Sequence, residues 1–161
     1  MNPDPMNPDL MNADPMNVDP MSTESSCLFC RIVTGQITSR RVYADDQAYA
    51  FLDIAPWHRG HTLVVPRRHV ADLVTGEPVL ADLAPAVDTV SRLLVRRLGA
   101  DGLNLYSAAG GVAGQEVFHL HLHLIPRYAD APGMRGMFDR APAGDDDLDE
   151  VHARLTGEPA S

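Results

Sequence analysis

A chain of 161 residues that is 45% hydrophobic can fill one core of ordinary size and is too short for two. No run nears the roughly 18–20 apolar residues of a bilayer span, and no basic patch leads into an apolar stretch, so a cytoplasmic protein without a membrane partner is expected. The net charge of −9 sits at the ends: residues 1–26 and 139–161 each carry −5, leaving +1 for residues 27–138, which suits a small phosphate ligand and lacks the broad basic face that nucleic acid requires.

The opening MNPDPMNPDLMNADPMNVDP repeats a Met-Asn-x-Asp-x unit, too proline-rich and too poor in apolar surface to offset the entropy of ordering. Residues 1–26 are therefore expected to be a disordered tail, with Met21 as an alternative start. Cys27 and Cys30, the only cysteines, are spaced C-x-x-C. Without a secretory leader, that spacing points to a metal site or a redox pair ahead of a structural disulfide. Arg41–Ala44 and Tyr49–Asp53 flank Asp45-Asp46-Gln47 and read as a hairpin. His61–Pro66 reads as a third strand ended by its proline, and His69–Val74 as a helical turn.

From Pro78 to Leu98, apolar residues fall at Leu80, Leu83, Val87, Val90, Leu94 and Leu98, one face of a helix. Pro78 suits its first turn and Gly99 its C-terminal cap, while Pro85 predicts a kink or a start nearer itself. Leu103–Ser107 and Val117–Ile125 complete a sheet of about five strands, antiparallel because the connections are too short for crossovers. With the helix on one face, the class is α+β. Residues 139–161, with Asp145-Asp146-Asp147, read as an acidic flexible tail that carries a short helix at Val151–Leu155.

Within Val117–Ile125, side chains of a strand alternate, so His119, His121 and His123 share one face while Phe118, Leu120, Leu122 and Leu124 face the core. Three adjacent imidazoles cannot all be cationic at neutral pH, and a neutral imidazole is a nucleophile, a base or a metal ligand. The bland alternative is a solvated histidine-rich face. Against it stands the Gly-rich Ala109–Gln115 directly upstream, whose turns expose backbone N–H groups able to cradle a phosphate. His58 and His152 read as surface residues.

The run His-Leu-His-Leu-His-Leu-Ile-Pro resembles the signature of the histidine triad (HIT) family. Cys27–Gln36, Ala50–Ile54, Gly60–Pro66 and Ala113–His119 resemble further family blocks in the family's order. The resemblance covers about residues 27–128 of a domain placed at 27–138, and implies a five-stranded antiparallel fold, a homodimer, and hydrolysis or transfer of nucleoside monophosphates. It implies His121 as the nucleophile that forms a nucleotidyl-imidazole, His123 as the group meeting phosphate and leaving group, and His61 as their brace. Gln115 and the backbone near Glu116 and Val117 would hold the non-bridging oxygens. Asp53 would accept from the ribose hydroxyls, and Leu28, Phe29, Ile32, Phe51 and Ile54 would line the base pocket, though each of these apolar residues also suits a core. Some members bind zinc through C-x-x-C, a following Pro-x-x-His and the first triad histidine, here Cys27, Cys30, His69 and His119, a closed structural set.

Many relatives carry an asparagine where this chain has Ala108, a departure that weakens the phosphate loop unless Asn104 compensates. The leading expectation is a hydrolase of purine nucleotide conjugates, phosphoramidate or adenylate in type, releasing AMP or GMP. The alternatives are a dinucleoside polyphosphate hydrolase or phosphorylase, and a low-turnover nucleotide-binding sensor or scaffold. A redox role for the cysteine pair is a further competitor.

Overall fold

The protein's structure, a computed structural model, describes residues 26–131. The tails expected at both ends, including His152 and the helix at Val151–Leu155, lie outside the described residues. A short helix α1 (Leu28–Val33) is capped by Cys27, whose sulfur accepts from the Cys30 amide, and it buries Phe29 and Ile32. The hairpin forms as expected, β1 (Arg41–Ala44) against β2 (Ala48–Leu52). Its turn is held by Asp45, whose carboxylate accepts from the amides of Gln47 and Ala48 at 2.8 and 2.7 Å.

Strand β3 (Thr62–Pro66) is buried at every residue, because it is central and covered on both faces. The connection after it is no helical turn at His69–Val74. Asp72 accepts from the amides of Val74 and Thr75, both at 2.7 Å, and closes a single turn there. Helix α2 (Leu80–Leu98) starts two residues after Pro78, runs through Pro85 and ends at Gly99, whose φ of 66° permits the left-handed cap. Its buried stripe is Leu83, Ala86, Val90 and Leu94, while Leu80, expected on that face, is half exposed.

Strand β4 (Gly102–Tyr106) and strand β5 (Leu122–Arg127) complete a five-stranded antiparallel sheet in the order β1-β2-β3-β5-β4. The last strand inserts between β3 and β4. Period-two alternation then divides the molecule. Ala48, Ala50, Val64, Leu122 and Leu124 pack with the α2 stripe on one face; Phe51, Leu63 and Val65 pack with Phe29 and Ile32 of α1 on the other. Because His123 is in register with Leu63, it belongs to the α1 face. Gly60 fixes the entry to β3: at φ +85° a Cβ there would lie 2.3 Å from Leu98 Cδ1.

Candidate active site and metal centre

Strand β5 starts at Leu122, later than the expected Val117. The cause is local. The His119 amide donates to the Val117 carbonyl at 2.9 Å, closing a γ-turn on Phe118, and the Leu120 amide donates to Val70 at 2.6 Å rather than to a neighbouring strand. Phe118 is turned outward, 55% exposed, so it does not join the core face. Leu120, Leu122 and Leu124 do, which keeps all three histidines off the α2 side. The three imidazoles nevertheless do not line one cleft. His119 is fully buried and turns to the cysteines, whereas His121 and His123 stay together with ring centroids 4.8 Å apart.

Hydrogen-bond partners assign the protons. His121 Nδ1 lies 2.7 Å from the His119 carbonyl, which only accepts, so Nδ1 carries the hydrogen and Nε2 keeps its lone pair. The His121 ring rests edge-on against Phe29 at 5.3 Å, and the Ser107 hydroxyl donates to the His121 carbonyl at 2.9 Å. His61 Nδ1 accepts from the Trp57 amide at 3.2 Å, with an Asp53 oxygen 3.5 Å away. Its proton therefore sits on Nε2, which donates to His123 Nδ1 at 2.9 Å and leaves His123 with a hydrogen on its outer Nε2.

Burial, followed by the charges of His121 and His61, pulls His123 down to about 4, with Asp53 opposing. Burial likewise holds His61 below its ordinary value, against the pull of Asp53. The pair is thus neutral at physiological pH in the free protein.

The loop upstream contains a single 3₁₀ turn at Gly111–Ala113 and a left-handed Gly114 at φ 88°. Gln115 is buried and its amide is already committed: Oε1 accepts from Gly110 N at 2.7 Å, and Nε2 donates to Ala71 O and Val117 O at 2.7 and 3.0 Å. Expected to meet phosphate, this amide instead spends its hydrogens on main-chain carbonyls of the loop and of the segment after β3. Among the described residues no acceptor takes the backbone N–H of Glu116 or Val117, which leaves two main-chain donors side by side at the end of the loop. Asn104 does not stand in for the missing amide at Ala108. It is exposed and accepts from Arg127, while Ala108 is buried.

Asp53 is partly open, with Oδ1 accepting from Ala55 N at 2.8 Å. Of the apolar pocket residues, Phe29, Ile32 and Phe51 belong to the α1-side core, and Leu28 and Ile54 are exposed. His58 is half buried beside Tyr128 rather than a plain surface residue. The sequence did not single out Trp57 or Tyr106, whose rings lie 5.1 and 5.5 Å from His123. A lone tryptophan ahead of Gly60-His61 was the available signal.

The cysteines converge with the other two expected ligands. Cys27 Sγ and Cys30 Sγ each lie 3.4 Å from His119 Nδ1, and Cys30 Sγ lies 3.3 Å from His69 Nδ1. Sulfur and nitrogen ligands of a tetrahedral zinc are separated by about 3.5 Å, so the spacing and the S₂N₂ chemistry fit that ion. His119 Nε2 donates to the Pro66 carbonyl at 2.9 Å, which leaves Nδ1 bare to ligate. Burial above all lowers His119, to about 4, keeping that nitrogen free at neutral pH. No helix among the described residues is long and apolar enough to cross a membrane.

Residues 34–130 match the model of the HIT domain. An uncharacterised HIT-like protein of Methanocaldococcus jannaschii is 40% identical over 133 residues, 81% of this chain and 99% of the relative. An adenylylsulfatase of Arabidopsis thaliana is 36% identical over 105 residues, 65% of this chain and 53% of the relative. Among solved structures, a zinc-bound histidine triad family protein from Mycobacterium smegmatis superposes with a TM-score of 0.64 at 37% identity, covering 83% of this chain and 98% of that one. With the triad, the strand order and the preceding loop all in place, this chain belongs to the histidine triad (HIT) family.

Proposed function

We propose that the protein hydrolyses nucleoside monophosphate conjugates of phosphoramidate or adenylate type through a nucleotidyl-His121 intermediate. The observation that carries this reading is the bare Nε2 of His121, held by the His119 carbonyl beside the hydrogen-bonded His61–His123 pair. The lone pair on Nε2 forms the bond to phosphorus as the bond to the leaving atom breaks, and that atom takes a proton from His123. The substrate's own phosphate supplies the negative charge that raises the proton affinity of the pair, so the acid is charged when it is needed. Water then attacks phosphorus, its proton returns to His123, and the electron pair of the P–N bond returns to His121.

Asp53 holds the ribose, exposed Leu28 and Ile54 meet a purine above Phe29, and the backbone at Glu116 and Val117 meets the oxygens. A zinc ion held by Cys27, Cys30, His69 and His119 has a structural part only, because four protein ligands leave no open position. The zinc-bound relative supports this assignment, and the adenylylsulfatase supports an adenylate conjugate. A homodimer goes with the family reading.

The test is an AMP–amine conjugate. AMP release is expected from the wild type, falling on the order of 10⁴-fold in His121→Ala. Turnover confined to two-headed polyphosphates would replace this reading by a dinucleoside polyphosphate hydrolase or phosphorylase. Tight binding without release would make the protein a nucleotide sensor, a reading that Ala108 and the committed Gln115 amide favour.

A further inference from the structure

Trp57 is the only tryptophan of the chain, and it is 44% exposed, an expensive place for a large apolar ring. Its contacts are not those of a core residue. The indole stacks on His61 at 5.1 Å and 17° and on His123 at 5.1 Å and 20°, one bicyclic ring spanning two imidazoles. Its own amide is the donor that fixes the His61 tautomer. Tyr106 closes the side, 5.9 Å from Trp57 and 5.5 Å from His123, with its hydroxyl donating to the Ala113 carbonyl of the loop.

We propose that Trp57 is a positioning residue for the proton-donating pair: its amide sets which nitrogen of His61 is protonated, and its indole holds both imidazole planes so that His123 presents Nε2–H to the leaving atom. Without a stacked roof, one hydrogen bond joins two rings that are each free to turn about χ2. A half turn of His123 would put carbon where Nδ1 accepts from His61 and would withdraw the outer donor. Stacked on both rings at once, the indole favours the orientation in which the two imidazole planes lie against it. A phenylalanine covers less than both rings and should hold them partly.

The role in turnover rests on the reading of His123 as the group that meets the leaving atom, but the ring geometry can be tested without turnover. In ¹⁵N-imidazole spectra, wild-type His61 and His123 should each be protonated at Nε2 and bare at Nδ1. In Trp57→Ala, which keeps the main-chain amide, His61 should stay protonated at Nε2 while the His123 signals broaden and average between tautomers. On an AMP–amine conjugate, kcat should fall about tenfold with KM changed less than about twofold, and Trp57→Phe should lose about threefold. Unchanged tautomer signals and kcat in Trp57→Ala would overturn the proposal. So would a loss carried by KM alone, or a Phe variant that is folded and as impaired as the Ala variant. If the wild type releases no nucleotide at all, the hydrolase reading fails, and the imidazole spectra still decide the place of Trp57.

Discussion

The carbonyls of Pro66 and His119 and the amide of Trp57 settle the proton positions of three imidazoles, and with them what each ring can do. His119 keeps a bare Nδ1 among the sulfurs, His121 keeps a bare Nε2, and His61 donates a hydrogen bond from Nε2 to His123. Side chains of one type thus acquire different chemistry from single backbone contacts. His123 carries a measurable cost of this arrangement. Its folded pKa of about 4 lies below the unfolded value, so the unfolded chain binds the proton first. Stability from this group is fully present above about pH 6.5 and is lost as pH falls toward 4. Urea unfolding at pH 7 and pH 5 should show the wild type losing on the order of 1 kcal/mol more than His123→Gln, the half-buried ring being partly screened. Parallel losses in the two proteins would contradict the assigned burial.

At the scale of elements, the segment between the Gly-rich loop and β5 is shaped by contacts that alternation does not reveal. The γ-turn at Phe118 breaks the strand, and Leu120 bonds to Val70, so His119 is delivered to α1 and the segment after β3. Cys27 caps α1 and Cys30 sits one turn on, so a metal there would fasten the helix to the histidine segment. A ligand bound only by the folded state raises its stability. Native mass spectrometry should find one zinc per wild-type chain and none in Cys30→Ser, and Tm should drop on the order of 10 °C in that variant or after chelation. Equal melting with and without chelator would remove the staple. Oxidation of the pair would have to change activity for a redox role to stand.

Over the described residues as a whole, the sheet separates two sides: α2 covers the face of Ala48, Ala50, Val64, Leu122 and Leu124, and His123 lies with Leu63 on the side of α1. Among the described residues strand β4 ends the sheet, and it carries Leu105, 57% exposed. The terminal strand of a sheet is a template for a partner. Size-exclusion chromatography with light scattering should give twice the chain mass, and Leu105→Arg should shift it toward one; a wild-type monomer would exclude the dimer.

The sequence alone determined the α+β class, the hairpin and the long helix, because period-two and period-3.6 patterns and short-range turn residues act within a few positions. Only the tertiary structure decided that His119 parts from His121, that the Gln115 amide is committed to Ala71 and Val117, and that Trp57 roofs the His61–His123 pair. Those outcomes depend on which carbonyl, sulfur or ring from a distant segment reaches each side chain, and no local periodicity encodes that.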